Sequence, residues 1–254
     1  MKQFILIFAF CALSLFLTSN VTATTLIVTK TIDSNDGVCD ADCSLREAIA
    51  AAAVSGDTIA FSELFNSAQT ITLGGTSLVI NKNLTINGNG PQLLKISANQ
   101  MSRVFDIPVG FTVALSGMTI TRGRAVAFVN GINDGGGIYT KGNLTIDNCV
   151  VTDNIASMNG AGIYNEGTLL TVTNSTISLN FTPVYAGGGI DGNGVVNVSN
   201  SSIINNAGSG IKSFNTVTVS NSLISGNYYG GIRAGSLTVS NSTVSNNFGG
   251  IGSG

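Results

Sequence analysis

The chain has 254 residues, of which 11 are basic and 13 are acidic, so its formal net charge is −2. A charged fraction of 9% with an apolar fraction of 43% excludes a disordered chain, and the charge balance excludes the basic surface that nucleic-acid binding requires. The sequence contains no histidine, which removes the residue that most often acts as a general base near neutral pH.

Residues 1–23 predict a signal peptide. Lys2 precedes an apolar run from residue 3 to residue 17, and a polar stretch then ends in the small-residue pattern Val21-Thr22-Ala23. The run is shorter than the roughly 20 residues that span a bilayer, which disfavours a retained anchor. We therefore expect an exported protein, secreted, on the cell surface or in the periplasm, with no membrane span in its mature chain.

Residues 24–61 predict an N-terminal cap in front of a repeat region. Ser44 is followed three residues later by Glu47, the pattern of a capping box, at the start of a short Ala-rich helix. Such a helix would cover the open end of a solenoid core. Cys39 and Cys43 lie close together in an exported chain and predict a small loop disulfide. A zinc site is the alternative, but it would need two further Cys or His ligands.

The loop around these cysteines is rich in oxygen ligands and permits two interpretations. One is a calcium loop and the other is a solvated turn tied by the disulfide. Gly37 comes one residue too early for the calcium pattern D-x-[DN]-x-[DN]-G, which favours the turn. We therefore predict no metal site and no cofactor, with calcium as the alternative. The side chains concerned are Asp33, Asn35, Asp36, Asp40 and Asp42.

Residues 62–254 predict a parallel β-helix. From Gly137 onward the sequence returns five times to a Gly-Ile step, a short strand, an Asn, a second short strand and another Asn. The two Asn residues of a unit are always six residues apart, and successive first Asn residues are 26, 26, 21 and 20 residues apart. This period fits rungs of strand and turn better than helical repeats, which are longer.

Alignment of the units on the first Asn predicts the direction of each side chain. Aliphatic residues recur four and two residues before this Asn and three residues after it, which predicts apolar stacks in the interior. Asn tolerates the left-handed backbone of a sharp corner, and its amide can bond to the same amide in the next rung. The predicted structural ladder consists of Asn148, Asn174, Asn200, Asn221 and Asn241.

The residue after each Gly-Ile step predicts an outward row on adjacent rungs, about 4.8 Å apart. Its aromatic, acidic and basic side chains are typical of a sugar-binding strip, although favourable cross-strand pairs are the stronger explanation of such a row. No catalytic residue is predicted, because a glycosidase needs a matched carboxylate pair and we expect Glu166 and Asp191 to be staggered. The predicted ligand strip consists of Tyr139, Tyr164, Asp191, Lys212 and Arg233.

Two resemblances extend these predictions. The string CDADCSLREAI, from Cys39 to Ile49, resembles the CSLREA domain, an N-terminal module of exported, mostly bacterial proteins that precedes right-handed parallel β-helix repeats. The later repeats resemble the pectin-lyase-like superfamily, which implies an all-β, right-handed parallel β-helix with a short N-terminal capping helix. Their Gly-Gly-Ile steps are also similar to repeats of the polymorphic outer-membrane proteins, although the Phe-x-x-Asn element of that group is absent.

Two functions remain open from the sequence. The first is a non-catalytic, adhesin-like surface module that presents a polar face and binds polysaccharide or a cell-surface glycan; the alternative is a polysaccharide lyase or glycoside hydrolase of the pectate-lyase type. Short neutral outward residues such as Thr145 and Thr171 favour the first, whereas an Asp or Glu cluster beside an Arg would favour the second. Because Gly250-Ile251 begins another rung, we expect a longer β-helix that is monomeric or assembles through its open C-terminal end.

Overall fold

The computed structural model describes residues 22–53, 55–126, 133–183, 186–249 and 251–253. Nearly all of the predicted signal peptide, residues 1–21, lies outside the described residues, as does Gly250 of the last Gly-Ile step.

The repeats form a parallel β-helix whose rungs have three sides. The first side contains Leu78–Val79, Phe105–Ile107, Ile138–Thr140, Ile163–Asn165, Gly187–Gly192, the first halves of Ser209–Ser220 and Gly230–Ser240, and Ile251–Ser253. The second contains Thr25–Val28, Ser55–Phe61, Asn83–Asn87, Thr112–Ser116, Asn143–Asp147, Leu169–Thr173, Val195–Ser199 and the second halves of the two long strands. The third contains Gln69–Thr72, Leu94–Ser97, Thr119–Thr121, Val150–Thr152, Thr176–Ser178, Ser202–Ile204, Leu223–Ser225 and Thr243–Ser245.

Neighbouring rungs pair in parallel and in register. Ile138 pairs with Ile163 on the first side, Leu144 with Leu170 on the second and Val151 with Ile177 on the third. The Gly-Ile steps and the Asn positions therefore mark equivalent points of successive rungs. The prediction of an all-β parallel β-helix is confirmed.

The core is a set of aliphatic columns, as the alternation predicts. The inward residues of the central rungs are almost fully inaccessible to solvent, and each buried side chain contributes about 1.5–3 kcal/mol. Val239, in the last full rung, is 37% exposed. Among the described strands it has a paired neighbour only in the preceding rung. The buried columns are Ile138, Ile163, Ile190, Ile211 and Ile232; Ile146, Val172, Val198 and Val219; and Val151, Ile177, Ile203 and Ile224.

The first Asn column forms the corners between the second and third sides. Asn148, Asn174 and Asn200 adopt φ values of 47°, 49° and 48°, and Asn221 and Asn241 adopt 48° and 47°. Their side chains are exposed. The predicted left-handed corner is thus present, but these are not the residues whose amides form a ladder.

The amide ladder lies in the second Asn column instead. The Nδ2 atom of Asn154 donates to Oδ1 of Asn180 at 3.0 Å, and Asn180 donates in the same way to Asn206 at 3.0 Å. The series continues to Asn227 and Asn247, at 2.9 Å in both steps. The residue before each of these Asn residues has a positive φ, which turns the Asn side chain into the rung. Buried amides must be paired, so the ladder forms at the inward column.

The N-terminal helix covers one end of the core. It spans Leu45–Ala51, and Ser44 and Glu47 make both hydrogen bonds of the predicted capping box. Leu45, Ala48 and Ile49 are buried in the same apolar cluster as the rungs. The predicted disulfide joins Cys39 to Cys43 just before the helix. Among the described residues, no helix has the length and apolarity needed to cross a bilayer.

Cys149 occupies a column of buried hydroxyl groups. Its backbone N–H donates to Oγ of Ser175 at 3.0 Å, and Ser175 N–H donates in turn to Oγ of Ser201. The thiol contacts the carbonyl oxygen of Asp147 at 3.3 Å, the position that a serine hydroxyl takes in later rungs. Burial raises the pKa of the Cys149 thiol to about 12, so the thiolate form is suppressed.

We expect the Cys149 thiol to resist modification in the folded protein. An aromatic disulfide reagent should label it only after denaturation in urea, since reaction requires an accessible thiolate. Replacement by serine, Cys149→Ser, should change the free energy of unfolding by less than about 1.5 kcal/mol, because the hydroxyl can make the same contact. Rapid labelling without denaturant would contradict this assignment.

Length differences between rungs are concentrated in one corner, between the third side and the first. From Asn154 the chain takes nine residues to reach Ile163, whereas it takes five from Asn227 to Ile232. The spacing from the first to the second Asn is constant. This variable corner adjoins the first side, where the predicted strip lies.

Candidate functional site

The strands of the first side place the predicted strip residues on consecutive rungs. Tyr139 pairs with Tyr164, Tyr164 with Asp191, Asp191 with Lys212, and Lys212 with Arg233. All of the predicted strip residues are therefore in one row.

The row extends two rungs beyond the predicted residues, through Asp106 to the apolar Val79. Asp106 pairs with Tyr139, and it belongs to the strand Phe105–Ile107. Val104 and Phe105 stand where later rungs have Gly and Ile, so the motif that identifies the row is missing there. The alternation of buried Phe105 and Ile107 around Asp106 is the signal that could have found it.

Side chains from neighbouring positions complete this surface, which we call the charged strip. Arg103 lies three residues before Asp106 and contacts its carboxylate at 3.5 Å. Lys141 and Glu166 follow Tyr139 and Tyr164 by two residues each, and they form an ion pair at 3.3 Å. The charged strip consists of Arg103, Asp106, Tyr139, Lys141, Tyr164, Glu166, Asp191, Lys212 and Arg233.

The side chains of the strip are less exposed to solvent than the prediction of an outward row implies. Tyr139 is only 5% exposed and Asp191 only 1%, whereas Arg233 is exposed. The carboxylate of Asp191 accepts a hydrogen bond from the backbone N–H of Gly187 at 2.7 Å, so the first residue of its own strand, Gly187–Gly192, lies against it. The solvent-accessible groups are thus at the two ends of the row and along the side formed by Lys141 and Glu166.

A tyrosine stack forms the centre of the strip. The rings of Tyr139 and Tyr164 are 5.7 Å apart and nearly parallel, with an interplanar angle of 11°. The guanidinium of Arg103 lies 4.9 Å from the centroid of the Tyr139 ring, a cation–π contact, and the ammonium of Lys141 lies 5.7 Å from it. The hydroxyl of Tyr139 donates to Glu166 at 2.5 Å. These contacts hold the rings and the charges in one fixed arrangement.

The carboxyl groups of the strip differ in their tendency to ionise. Burial raises the pKa of Asp106 and of Asp191 above the usual range, despite the nearby cations. The hydrogen bond from Tyr139 lowers the pKa of Glu166. Burial also raises the pKa of Tyr139 and that of Tyr164, the latter to about 12. Both tyrosine hydroxyls are therefore neutral at physiological pH.

The carboxylates are already engaged within the protein. Asp191 contacts Lys212 at 3.5 Å as well as Gly187, and Glu166 is shared by Tyr139 and Lys141. In each carboxylate these contacts fall on one oxygen, Oε2 of Glu166 and Oδ2 of Asp191, and they fix the position of that oxygen.

The acidic loop near the disulfide makes contacts that stabilise the cap. Asp33 accepts from Arg46 at 2.8 Å and from the Gly74 backbone at 2.8 Å, and Asp42 pairs with Lys30 at 3.1 Å. Within the described ranges no group of three or more His, Cys, Asp or Glu side chains is arranged to hold a metal ion. The calcium alternative remains untested by this geometry.

A second surface was missed entirely by the sequence analysis. The residue that directly follows the second Asn of each unit lies on the outside of the variable corner, and three of these residues are aromatic. Phe181 is 49% exposed, Tyr228 57% and Phe248 84%. Their common position after Asn is the signal that could have revealed them. We call Phe181, Tyr228 and Phe248 the aromatic column.

Comparison with known proteins agrees with the architecture. The family described as the right handed beta helix region matches residues 109–253, more than half of the chain. The chain belongs to this family. The Asn ladder, the charged strip and the aromatic column all lie in the matched residues, apart from Arg103 and Asp106.

Two solved structures are similar to this chain in fold. The pectate lyase Pel9A has a TM-score of 0.58 and 18% sequence identity, and the match covers 88% of this chain and 62% of the lyase. Escherichia coli ybhc has a TM-score of 0.57 and 13% identity, and the match covers 86% of this chain and 71% of that protein. The chain thus spans less than two thirds of the length of the lyase. No curated protein matches the sequence.

Proposed function

We propose that the protein is an exported, non-catalytic surface module that binds an anionic polysaccharide along the charged strip. The observation that carries this proposal is the in-register row of the first side, in which Lys212 and Arg233 are adjacent and stacked tyrosines precede them. Like charges on neighbouring strands are unfavourable, and a bound polyanion would relieve that repulsion. A polymer lying along the helix axis would meet the accessible groups of the strip at the two ends of the row and beside Lys141 and Glu166.

The remaining cations support the same ligand class. Lys141 has 42% of its side chain exposed and lies beside the tyrosine stack, and Arg233 is exposed at the other end of the row. A polymer can therefore reach positive charge at two separated points. The row of the second side that contains Thr145 and Thr171 offers short neutral side chains, which suits a passive structural face.

The test is a titration of the mature chain with polygalacturonate and with a neutral β-glucan, each with and without calcium. We expect saturable binding of polygalacturonate that Lys141→Ala and Arg233→Ala each weaken about tenfold, equivalent to about 1.4 kcal/mol. Lys95→Ala is the matched control, because it removes an exposed positive charge from the third side. Equal loss in all three variants, or no binding of polygalacturonate, would disprove the assignment of the strip.

A carbohydrate-active enzyme is the second candidate, and one observation favours it. Asp106 lies beside Arg103 at 3.5 Å, and Glu166 and Asp191 lie on the same face two and three rungs away; carboxylates beside an Arg are groups that acid–base chemistry uses. The raised pKa of Asp106 is suited to proton donation and the lowered pKa of Glu166 to a permanently charged role. Release of unsaturated or reducing-end product during the same titration would establish turnover and overturn the non-catalytic proposal.

Export is supported by the chemistry of the N-terminal region. A disulfide between Cys39 and Cys43 is stable in an oxidising compartment and rare in the cytosol. The cap that contains it has the residues of the CSLREA pattern, which resembles modules of exported proteins, and Ser44, Arg46 and Glu47 each have a structural role there. We propose that this segment is a dedicated cap of an exported β-helix, which supports secretion or display on the cell surface.

A further inference from the structure

The aromatic column contains a gap that has the dimensions of a ligand site. Ala207 stands between Phe181 and Tyr228 in the column and pairs with Phe181 across a parallel bridge. The backbone N–H of Tyr228 bonds to Asn206, which places Tyr228 one rung beyond Ala207. The two aromatic residues are thus two rungs apart, about 9.6 Å, with a methyl group between them.

This gap is a cavity of about 380 Å³ on the protein surface. Such a volume lies at the lower end of the range of small-molecule sites, roughly 300–1,000 Å³. Its walls are mainly apolar, and none of the residues that line it carries a charge. They are Phe181, Thr182, Pro183, Ala207, Tyr228 and Tyr229.

Neighbouring contacts fix one wall of the cavity. The ring of Tyr228 is stacked on Phe248 at 5.6 Å with an interplanar angle of 12°, and it meets Tyr229 edge to face at 4.9 Å. One face of Tyr228 is therefore occupied by Phe248, while the cavity lies on the side of Ala207. The wall is held in place before any ligand arrives, which reduces the entropic cost of binding.

We infer that this cavity, the aromatic slot, binds one ring of a neutral sugar between Phe181 and Tyr228. Carbon contacts of about 3.5–4.0 Å on both sides would use 7–8 Å of the 9.6 Å between the aromatic residues. The distance that is left between the two contacts is the thickness available to the ligand ring. It exceeds the thickness of a flat conjugated ring and suits a puckered saturated ring whose C–H groups face the aromatic side chains. The absence of charge in the lining disfavours a uronate, in contrast to the charged strip. The slot lies on the variable corner and not on the strands of the first side that carry the strip, and it does not depend on the function proposed for the strip.

The test is calorimetric titration with a neutral glucose hexasaccharide and, in parallel, a galacturonate hexasaccharide. We expect the wild-type chain to bind the neutral probe at the slot. Ala207→Leu fills the gap while keeping both aromatic residues, and Phe181→Ala removes one wall, so each should weaken that binding at least tenfold. Phe214→Ala is the matched control, since Phe214 is 72% exposed and contacts Lys212 outside the slot.

Failure of the slot and failure of the strip are distinguishable. Loss of neutral-probe binding in Ala207→Leu, with unchanged urea midpoint and unchanged binding in Phe214→Ala, supports the slot whatever the galacturonate probe does. Absence of neutral-probe binding in the wild type, or wild-type affinity in Ala207→Leu, overturns the slot without affecting the strip.

Discussion

Replacement of Asn206 by alanine is expected to lower the free energy of unfolding by about 3–5 kcal/mol. Asn206 is 1% exposed, and its Oδ1 accepts from both the backbone N–H and the Nδ2 of Asn180 at 3.1 and 3.0 Å. Its Nδ2 donates to the carbonyl oxygen of Ile177 at 3.1 Å. The alanine variant leaves two buried donors and one buried acceptor unpaired, and each costs about 1–3 kcal/mol.

The matched control is Asn200→Gly in the first Asn column. Asn200 is exposed and has a φ of 48°, a conformation that glycine adopts without strain. This variant should change the free energy of unfolding by less than about 1 kcal/mol. Urea denaturation followed by circular dichroism measures both. Equal destabilisation of the two variants would mean that the buried ladder has no special role.

Replacement of Glu47 by alanine is expected to cost about 3–5 kcal/mol, the range for removing one partner of a buried charge pair. The Glu47 side chain is inaccessible and accepts from Ser44 N–H at 2.7 Å, Ser34 Oγ at 2.9 Å and Asp36 N–H at 3.2 Å. It also lies 3.4 Å from the ammonium of Lys30. The alanine variant would leave these donors unpaired beneath the cap and loosen the end of the core. Glu63→Ala, at an exposed position, is the control and should be nearly neutral.

The pH dependence of the same residue provides an independent measurement. Burial alone would raise the pKa of Glu47, but the hydrogen bonds from Ser44, Ser34 and Asp36 and the charge of Lys30 outweigh it and lower the pKa to about 2. The contribution of Glu47 is therefore complete above its unfolded pKa of 4.5 and disappears as the pH falls towards 2. The difference in unfolding free energy between wild type and Glu47→Gln should shrink over that interval. A constant difference from pH 6 to pH 2 would contradict this role.

The sequence was sufficient to predict the register of the rungs but not the identity of the ladder. Ile138 and Ile163, or Asn148 and Asn174, mark equivalent points because period-two alternation fixes which residues face inward. Both Asn columns recur with the same spacing, so spacing alone cannot distinguish an exposed corner from a buried amide. The second Asn is buried because the residue before it has a left-handed backbone. That residue has no constant side chain, as Asp153 and Leu179 show, so the sequence does not mark it.

The sequence predicted the shared row of Tyr139, Tyr164, Asp191, Lys212 and Arg233, but neither the other members of the charged strip nor its accessibility to solvent. Pairing between rungs follows from register, so Tyr139, Tyr164 and Asp191 had to share a row. The burial of Asp191 depends on a hydrogen bond from the backbone of Gly187, at the start of the same strand, where the variable corner ends and the repeat cannot be aligned. Phe181 and Tyr228 were overlooked for the same reason, since the alignment ended at the second Asn.

The variable corner also makes this protein suitable as a scaffold for grafted segments. The Asn ladder lies just before this corner, the bridge between Phe181 and Ala207 follows it, and the first side is paired again from Ser209 onward. A foreign peptide inserted after Ala207 would extend from the surface without shifting the register of either neighbouring rung. Because one corner recurs in every rung, several peptides could be displayed on one molecule in a line, separated by multiples of about 4.8 Å.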